Sequence, residues 1–208
     1  MKFSVIMQSY LGDYPGCAND RENKIKRAIN SVIAQTFEDW ELIIIADGCE
    51  KTFDIVEKFY SDNKKISCFF IPKQAFWSGT CRDIGKFEAK GDFIVYLDTD
   101  DKYDKKHLEI IDRQLNGEDW VYYNDYIQRN NEWVERPCNI HRVGYNGTSN
   151  VCFKRSMDVS WSTYTGYAHD HIFNRQLLSH SKHFNKIKTP GYYVCHLPPH
   201  NGGSGYDV

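Results

Sequence analysis

The sequence lacks any Cys-x-x-Cys pair: its seven cysteines (Cys17, Cys49, Cys68, Cys81, Cys138, Cys152 and Cys195) are scattered and odd in number. That pattern argues against both a zinc site and a disulfide framework, and it predicts reduced thiols in a cytosolic (cytoplasmic) setting. No apolar run approaches the roughly 18 residues of a membrane helix. The opening MKFSVIMQSYLGD holds too short an apolar stretch for a signal-peptide core. A large excess of either charge is missing too. With a formal net charge of −2 and a pI near 6.4, the chain has no overall attraction for nucleic acid or an anionic membrane, which argues against a general nucleic-acid binder while leaving room for a local basic patch. Repeats and long low-complexity segments are also absent.

What is present is enough apolar sequence, 41% of 208 residues, for one substantial core and too little chain for two independent ones. The expectation is one domain over 1–208, as a whole protein or a piece of a longer chain. From 3 to 115 short apolar runs alternate with amphipathic segments, the pattern of βαβ units around a parallel sheet. Strands are predicted at 3–8, 41–46, 66–71 and 93–97. Helices are predicted at 24–35, 52–63, 78–89 and 105–115; the first gathers Ile25, Ala28, Ile29, Val32 and Ile33 on one face. Beyond 116 the character changes. Aromatic strands at 120–128 and 133–135 predict antiparallel structure beside the first half, followed by a strand at 151–154, a helix at 170–181 and a last strand at 186–195. Of the rings Trp120, Tyr122, Tyr123, Tyr126 and Trp133, most belong to a core by their alternation, with one or two left to face a ligand.

Chemistry concentrates where apolar strands end. In FIVYLDTDDKYDKKHL the run from Phe93 to Leu97 stops at Asp98, Asp100 and Asp101. Carboxyl ends of strands are where open α/β sheets bind ligands, and oxygen ligands one residue apart on a turn suit Mg²⁺ or Mn²⁺. The alternative is that Asp100 or Asp101 caps the next helix, with Asp104 in its first turn. WELIIIADGCE repeats the arrangement with Asp47, a hydrogen-bond acceptor for a nucleobase imide or a ribose hydroxyl, and Gly48, which permits close backbone approach. In FWSGTCRDIGKF, Gly79, Arg82 and Asp83 open a helix whose amino end suits a diphosphate or a carboxylate, unless Arg82 merely forms a surface ion pair. The sequon Asn146-Gly147-Thr148 is common by chance and matters only in a secreted chain.

RAINSVIAQTFEDWELIIIADGC followed by GTCRDIGKFEAKGDFIVYLDTDD resembles glycosyltransferase family 2, over roughly residues 1 to 115. The resemblance implies the nucleotide-diphospho-sugar transferase (GT-A) fold, a Rossmann-like, mostly parallel sheet flanked by helices with a smaller antiparallel part on the acceptor side. It divides the domain into a nucleotide-sugar half, 1–115, and an acceptor and catalytic half, 116–208. It puts the donor against Gln8, Ser9, Tyr10, Asp47, Gly79, Arg82, Asp83, Asp98 and Thr99, with Asp47 at the base, Asp98 at the ribose and Asp100 on the metal. Asp83 departs from the family's usual asparagine. NGTSNVCFKRSM resembles the strand before the acceptor region and GYAHDHIFNRQLL the segment that carries the general base, which makes Asp170 the candidate base, with His169 where the family usually has glutamate. As a plain residue, Asp170 could instead cap the helix. His196, after the last strand, matches the histidine that relatives place on the metal, with His200 a weaker alternative.

The implied reaction is metal-dependent (Mn²⁺ or Mg²⁺) transfer of a hexosyl or deoxyhexosyl group from UDP-glucose or a related UDP-sugar to a glycan or other hydroxyl acceptor, with inversion. Three alternatives stand beside it: a retaining transferase of the same fold, a sugar-nucleotide hydrolase or nucleotidyltransferase, and a nucleotide-sugar-binding module without turnover. QSYLGDYPGC shows no clear glycine-rich, lysine-bearing loop of the nucleotidyltransferase kind.

Overall fold

The computed structural model describes residues 1–14, 17, 19–74, 78–164, 166 and 168–195. Four parallel strands form the frame: β1 (Phe3–Ser9), β2 (Trp40–Asp47), β3 (Ile66–Ile71) and β4 (Phe93–Tyr96), with β1 hydrogen-bonded between β4 and β2 and with β3 on the edge. Helices α1 (Arg21–Ile33), α2 (Glu50–Tyr60) and α3 (Gly79–Glu88) connect them, and α4 (His107–Gln114) follows a two-residue strand β5 (Lys102–Tyr103). Alternation along each strand fills two cores, as expected of a sheet covered on both faces. Val5, Met7, Leu42, Ile44 and Val95 face one side with Ile25, Ile29 and Ile111. Ile6, Ile43, Ile45, Ile94 and Tyr96 face the other with Cys81, Phe173 and Leu177. Gly85 of α3 lies so close to β1 that a Cβ there would collide with the Ile6 side chain.

The second half departs from the sequence expectation. The predicted strand 120–128 is two strands, β6 (Trp120–Tyr122) and β7 (Asp125–Arg129), in different sheets, and 186–195 likewise divides into β10 (Phe184–Lys186) and β11 (Tyr192–Val194). The chain breaks at Pro190-Gly191, where proline lacks an amide donor and Gly191 adopts φ +89°. β9 (Val151–Lys154) pairs antiparallel with both β4 and β6, so the 116–208 region completes the main sheet, order β10-β6-β9-β4-β1-β2-β3, rather than lying wholly beside it. The smaller sheet, β5-β11-β7-β8 with β8 at Glu132–Arg136, carries the other pieces. Helix α5 (His169–His180) packs Phe173 and Leu177 into the second core. No helix among the described residues is long and apolar enough to cross a membrane.

Candidate active site

The carboxyl ends of β1 and β4 are joined to the head of α5 by one line of hydrogen bonds and an ion pair. Asp98, just past β4, accepts a bond at Oδ1 from Gln8 Nε2 at the end of β1, and Arg82 Nη2 lies 3.6 Å from the same oxygen. Arg82 is no surface ion pair: it is only 3% exposed, with its guanidinium 4.9 Å from the Trp161 ring centre. The same Nη2 donates to Thr148 Oγ1 at 3.2 Å, and Thr148 Oγ1 donates to Asp170 Oδ1 at 2.9 Å. His169 Nε2 stands 3.2 Å from that oxygen, while its Nδ1 is 3.1 Å from the Gly166 carbonyl. Asp170 lies within the first turn of α5 and makes no capping bond, since the helix begins a residue earlier and its N-cap position is Ala168.

The turn after β4 separates its acids by role. Asp100 is half-buried, and its carbonyl accepts from Arg27 Nη2. Thr99 sits half-buried between the two acids of the pair. Asp101 is buried and structural: its Oδ2 accepts from the Tyr192 hydroxyl at 2.6 Å and its Oδ1 from the Cys195 amide at 2.8 Å. The Asp98 amide donates to the same Tyr192 hydroxyl at 3.2 Å, so three bonds, two at the first residue of β11 and one at Cys195 just past it, fasten this strand to the acidic turn. Burial, then the charges of Asp100 and Asp98, push the Asp101 carboxyl well above the ordinary carboxylate range, against the two hydrogen bonds that favour its ionised form. Neither Asp100 nor Asp101 caps the next helix, because β5 intervenes and α4 begins at His107. Asp104 lies before that helix and holds its N-cap residue, accepting from the Lys106 amide at 2.9 Å.

At the end of β2, Asp47 is buried and already engaged: Lys73 Nζ lies 2.6 Å from Oδ2 and the Gln74 amide donates to Oδ1 at 2.6 Å. Gly48, at φ +60°, brings its backbone against Lys73, where a Cβ would meet the Lys73 Cβ at 2.5 Å. Lys73 Nζ also stands 4.3 Å from the Tyr10 ring centre. Beside this group an open pocket of about 390 Å³ is lined by Tyr10, Gly12, Arg21, Gly48, Cys49 and Glu50, among others.

Three further residues have mainly architectural contacts. Ser9 Oγ pairs with Thr52 Oγ1 at 2.6 Å inside the core. Gly79 admits the backbone of Trp161, whose carbonyl would stand 2.9 Å from a Cβ there. The Asp83 carboxylate accepts from the amides of Trp161 and Ser162 at 2.8 and 2.9 Å and from the hydroxyls of Ser160 and Ser162, so it holds the 160–162 turn in place. His196 and His200 lie outside the described residues.

Residues 17–180 match the profile of Glycosyl transferase family 2. The chain belongs to this family. An uncharacterized glycosyltransferase of Haemophilus influenzae is 33% identical over 114 residues, covering 54% of this chain and 40% of that protein. The poly(ribitol-phosphate) beta-N-acetylglucosaminyltransferase TarS of Staphylococcus aureus is 30% identical over 113 residues, 52% of this chain and 18% of that protein. The chain thus spans less than half the length of these curated relatives. In three dimensions, TarS 1–349 in complex with UDP superposes with a TM-score of 0.74 at 20% identity, covering 93% of this chain and 60% of that one, and its complex with UDP-GlcNAc gives 0.71 at 19%, covering 93% and 58%. That likeness establishes the shared GT-A fold.

Sequence reasoning missed three contributors. Thr148 sat inside an apparent sequon, and nothing local marks it as the bridge between Arg82 and Asp170. Tyr192 reads as one more aromatic strand residue, although it reaches a carboxylate 91 positions away. Lys73 follows β3 without any motif around it.

Proposed function

We propose that the chain transfers a sugar from a UDP-sugar donor to an acceptor hydroxyl of a glycan, with inversion at the anomeric carbon. The observation that carries this reading is the line Gln8–Asp98–Arg82–Thr148–Asp170, which joins an acid at the end of a buried strand to an acid at the head of α5. A nucleoside diphosphate suits the first end, where strands β1, β2 and β4 stop beside the amino end of α3. The relatives point the same way: TarS is named as an N-acetylglucosaminyltransferase, and its structures hold UDP and UDP-GlcNAc.

In this reading Asp47 and its Lys73 partner receive the base, Gln8, Tyr10 and Thr99 border the donor, and Asp98 meets the ribose. Asp170 takes the proton of the acceptor hydroxyl as its oxygen attacks the anomeric carbon, and UDP departs on the opposite side. Asp100 and His196 would hold a Mn²⁺ or Mg²⁺ ion, whose charge would neutralise the leaving diphosphate. The carboxylates of the described turn suit such an ion. Among the described residues no group of three or more His, Cys, Asp and Glu side chains could hold a metal by itself, so in this reading the diphosphate would complete the coordination, as cations near nucleotides are commonly held by one or two carboxylates plus the phosphates. The turn also concentrates negative charge: after burial, the charges of Asp100 and Asp98 help to raise the Asp101 carboxyl, and both also help to raise the Tyr14 phenol.

Calorimetric titration of UDP, UDP-GlcNAc and UDP-glucose with and without Mn²⁺, followed by NMR of the product anomer, tests the reading. It expects Mn²⁺-dependent UDP binding and a product of inverted configuration. Absence of binding to every UDP species would overturn it. Retained configuration would transfer the chemistry to a retaining mechanism, and binding without transfer to any acceptor in a broad panel would leave a donor-binding module.

A further inference from the structure

Thr148 stands where the donor-side arginine and the acceptor-side carboxylate come within reach of one hydroxyl, and the chemistry of its neighbours sets the direction of its proton. Arginine offers only donors, so the bond from Arg82 Nη2, at 3.2 Å, must use a lone pair of Thr148 Oγ1. An ionised carboxylate offers only acceptors, so the single hydroxyl proton must point to Asp170 Oδ1, at 2.9 Å. Rotation of the hydroxyl would lose the second bond without improving the first. The residue is 7% exposed, which leaves little water to replace either partner.

The consequence falls on the carboxylate's orientation. Oδ1 of Asp170 receives both the Thr148 proton and the approach of His169 Nε2 at 3.2 Å. Among the described residues Oδ2 carries no such contact. With Asp170 read as the general base, Oδ2 is the oxygen left for the acceptor hydroxyl. Arg82, which holds Thr148, also stands 3.6 Å from Asp98 Oδ1, so the same guanidinium addresses the donor acid and, through one hydroxyl, the base.

We propose that Thr148 is a positioning residue: its hydroxyl locks the Asp170 carboxylate with Oδ2 toward the acceptor and ties that orientation to the Arg82–Asp98 contact of the donor side. The inference rests on the reading of Asp170 as the general base. Valine has nearly the shape of threonine without the hydroxyl, while serine keeps the hydroxyl without the methyl. The two substitutions therefore separate hydrogen bonding from packing.

The experiment measures initial UDP release from UDP-GlcNAc with water as acceptor, together with calorimetric UDP affinity, for the wild type, Thr148→Val, Thr148→Ser, Asp170→Asn and the double variant Thr148→Val/Asp170→Asn. Thr148→Val is expected to lower kcat about ten- to a hundredfold, the factor that a lost hydrogen bond to a charged group commands. UDP affinity should stay within about twofold and Thr148→Ser within about threefold of wild type, a split that uniform loss of binding or folding would not produce. Adding Thr148→Val to Asp170→Asn should cost less than about twofold more, because the group it positions is already disabled. A crystal structure of Thr148→Val should show the Asp170 carboxylate turned from its wild-type orientation while Arg82 remains beside Asp98. Wild-type kcat in Thr148→Val, equal losses in the valine and serine variants, or a parallel fall in UDP affinity would each overturn the role. Full turnover by Asp170→Asn would overturn the base itself and this inference with it, whereas an inactive Asp170→Asn beside an unimpaired Thr148→Val would overturn this inference alone.

Discussion

His107 gives a pH dependence of stability whose size follows from its surroundings. At the start of α4 its ring lies fully buried, stacked 3.8 Å from Tyr103 and edge-on to Tyr123 and Tyr192 at 5.6 and 6.3 Å. Burial pushes its pKa from 6.5 down to about 3, and the backbone of Gly191 and Pro190, which favours the cation, offsets only part of that. The unfolded chain takes up a proton near pH 6.5 while the folded one stays neutral. The stabilisation is therefore complete above pH 6.5 and is lost progressively as pH falls from there toward 3. At 1.36 kcal/mol per pH unit the whole window is worth about 5 kcal/mol, of which about 2 kcal/mol is lost by pH 5. His107→Phe keeps an aromatic ring between the tyrosines and removes the titration. Urea unfolding of both proteins at pH 8 and pH 5 isolates the effect, since other groups cancel in the difference. The stability difference should shift by about 2 kcal/mol in favour of phenylalanine at the lower pH. A difference that is the same at both pH values would refute the neutral, desolvated imidazole.

Asp100→Ala should abolish Mn²⁺-dependent UDP binding and leave the melting temperature nearly unchanged, because its side chain is half-buried on a turn outside the core; unaltered Mn²⁺-dependent calorimetry would remove it from the metal. Asp47→Ala should weaken uridine and UDP alike by roughly 1.5–3 kcal/mol, the cost of one hydrogen bond to a charged group; a loss confined to the diphosphate would displace Asp47 from the base. Asp170→Asn should cut transfer by about 10²–10⁴ while UDP affinity holds. Its melting temperature should barely move, since Asp170 makes no capping bond, and a variant with near-normal transfer would reassign it.

Legibility of the sequence followed the range of the interactions involved. β1 to β4 were readable because each is an apolar run with polar sequence on either side, and the helices between them carry one apolar face. Asp47 and Asp98 were readable because each ends such a run. The divided strands were not: 120–128 looks continuous in composition, the Pro190-Gly191 pair inside 186–195 is a local break that the reading ran through, and only tertiary pairing assigns β7 and β11 to a second sheet. Asp101 looked interchangeable with Asp100 because nothing near it in the chain shows that Tyr192 and the Cys195 amide arrive to bond it. Asp83 stood beside Arg82 in a recognisable motif, yet its hydrogen-bond partners lie 77 to 79 positions further on. Thr148 lacked any local signal.

The three bonds between β11 and the acidic turn also order events during synthesis. The strands that frame the turn are complete once Tyr96 has been made, and β1, β2 and β4 can pair from local crossovers. Asp101 must then wait, carrying a carboxylate suited to burial but still open to water, until Tyr192 and Cys195 leave the ribosome. Contacts of such long separation form late because loop closure precedes their reward. A nascent chain halted before residue 192 would therefore hold a nearly finished sheet with an unfastened acidic turn, exposed to proteases at a place that three bonds fasten in the mature chain.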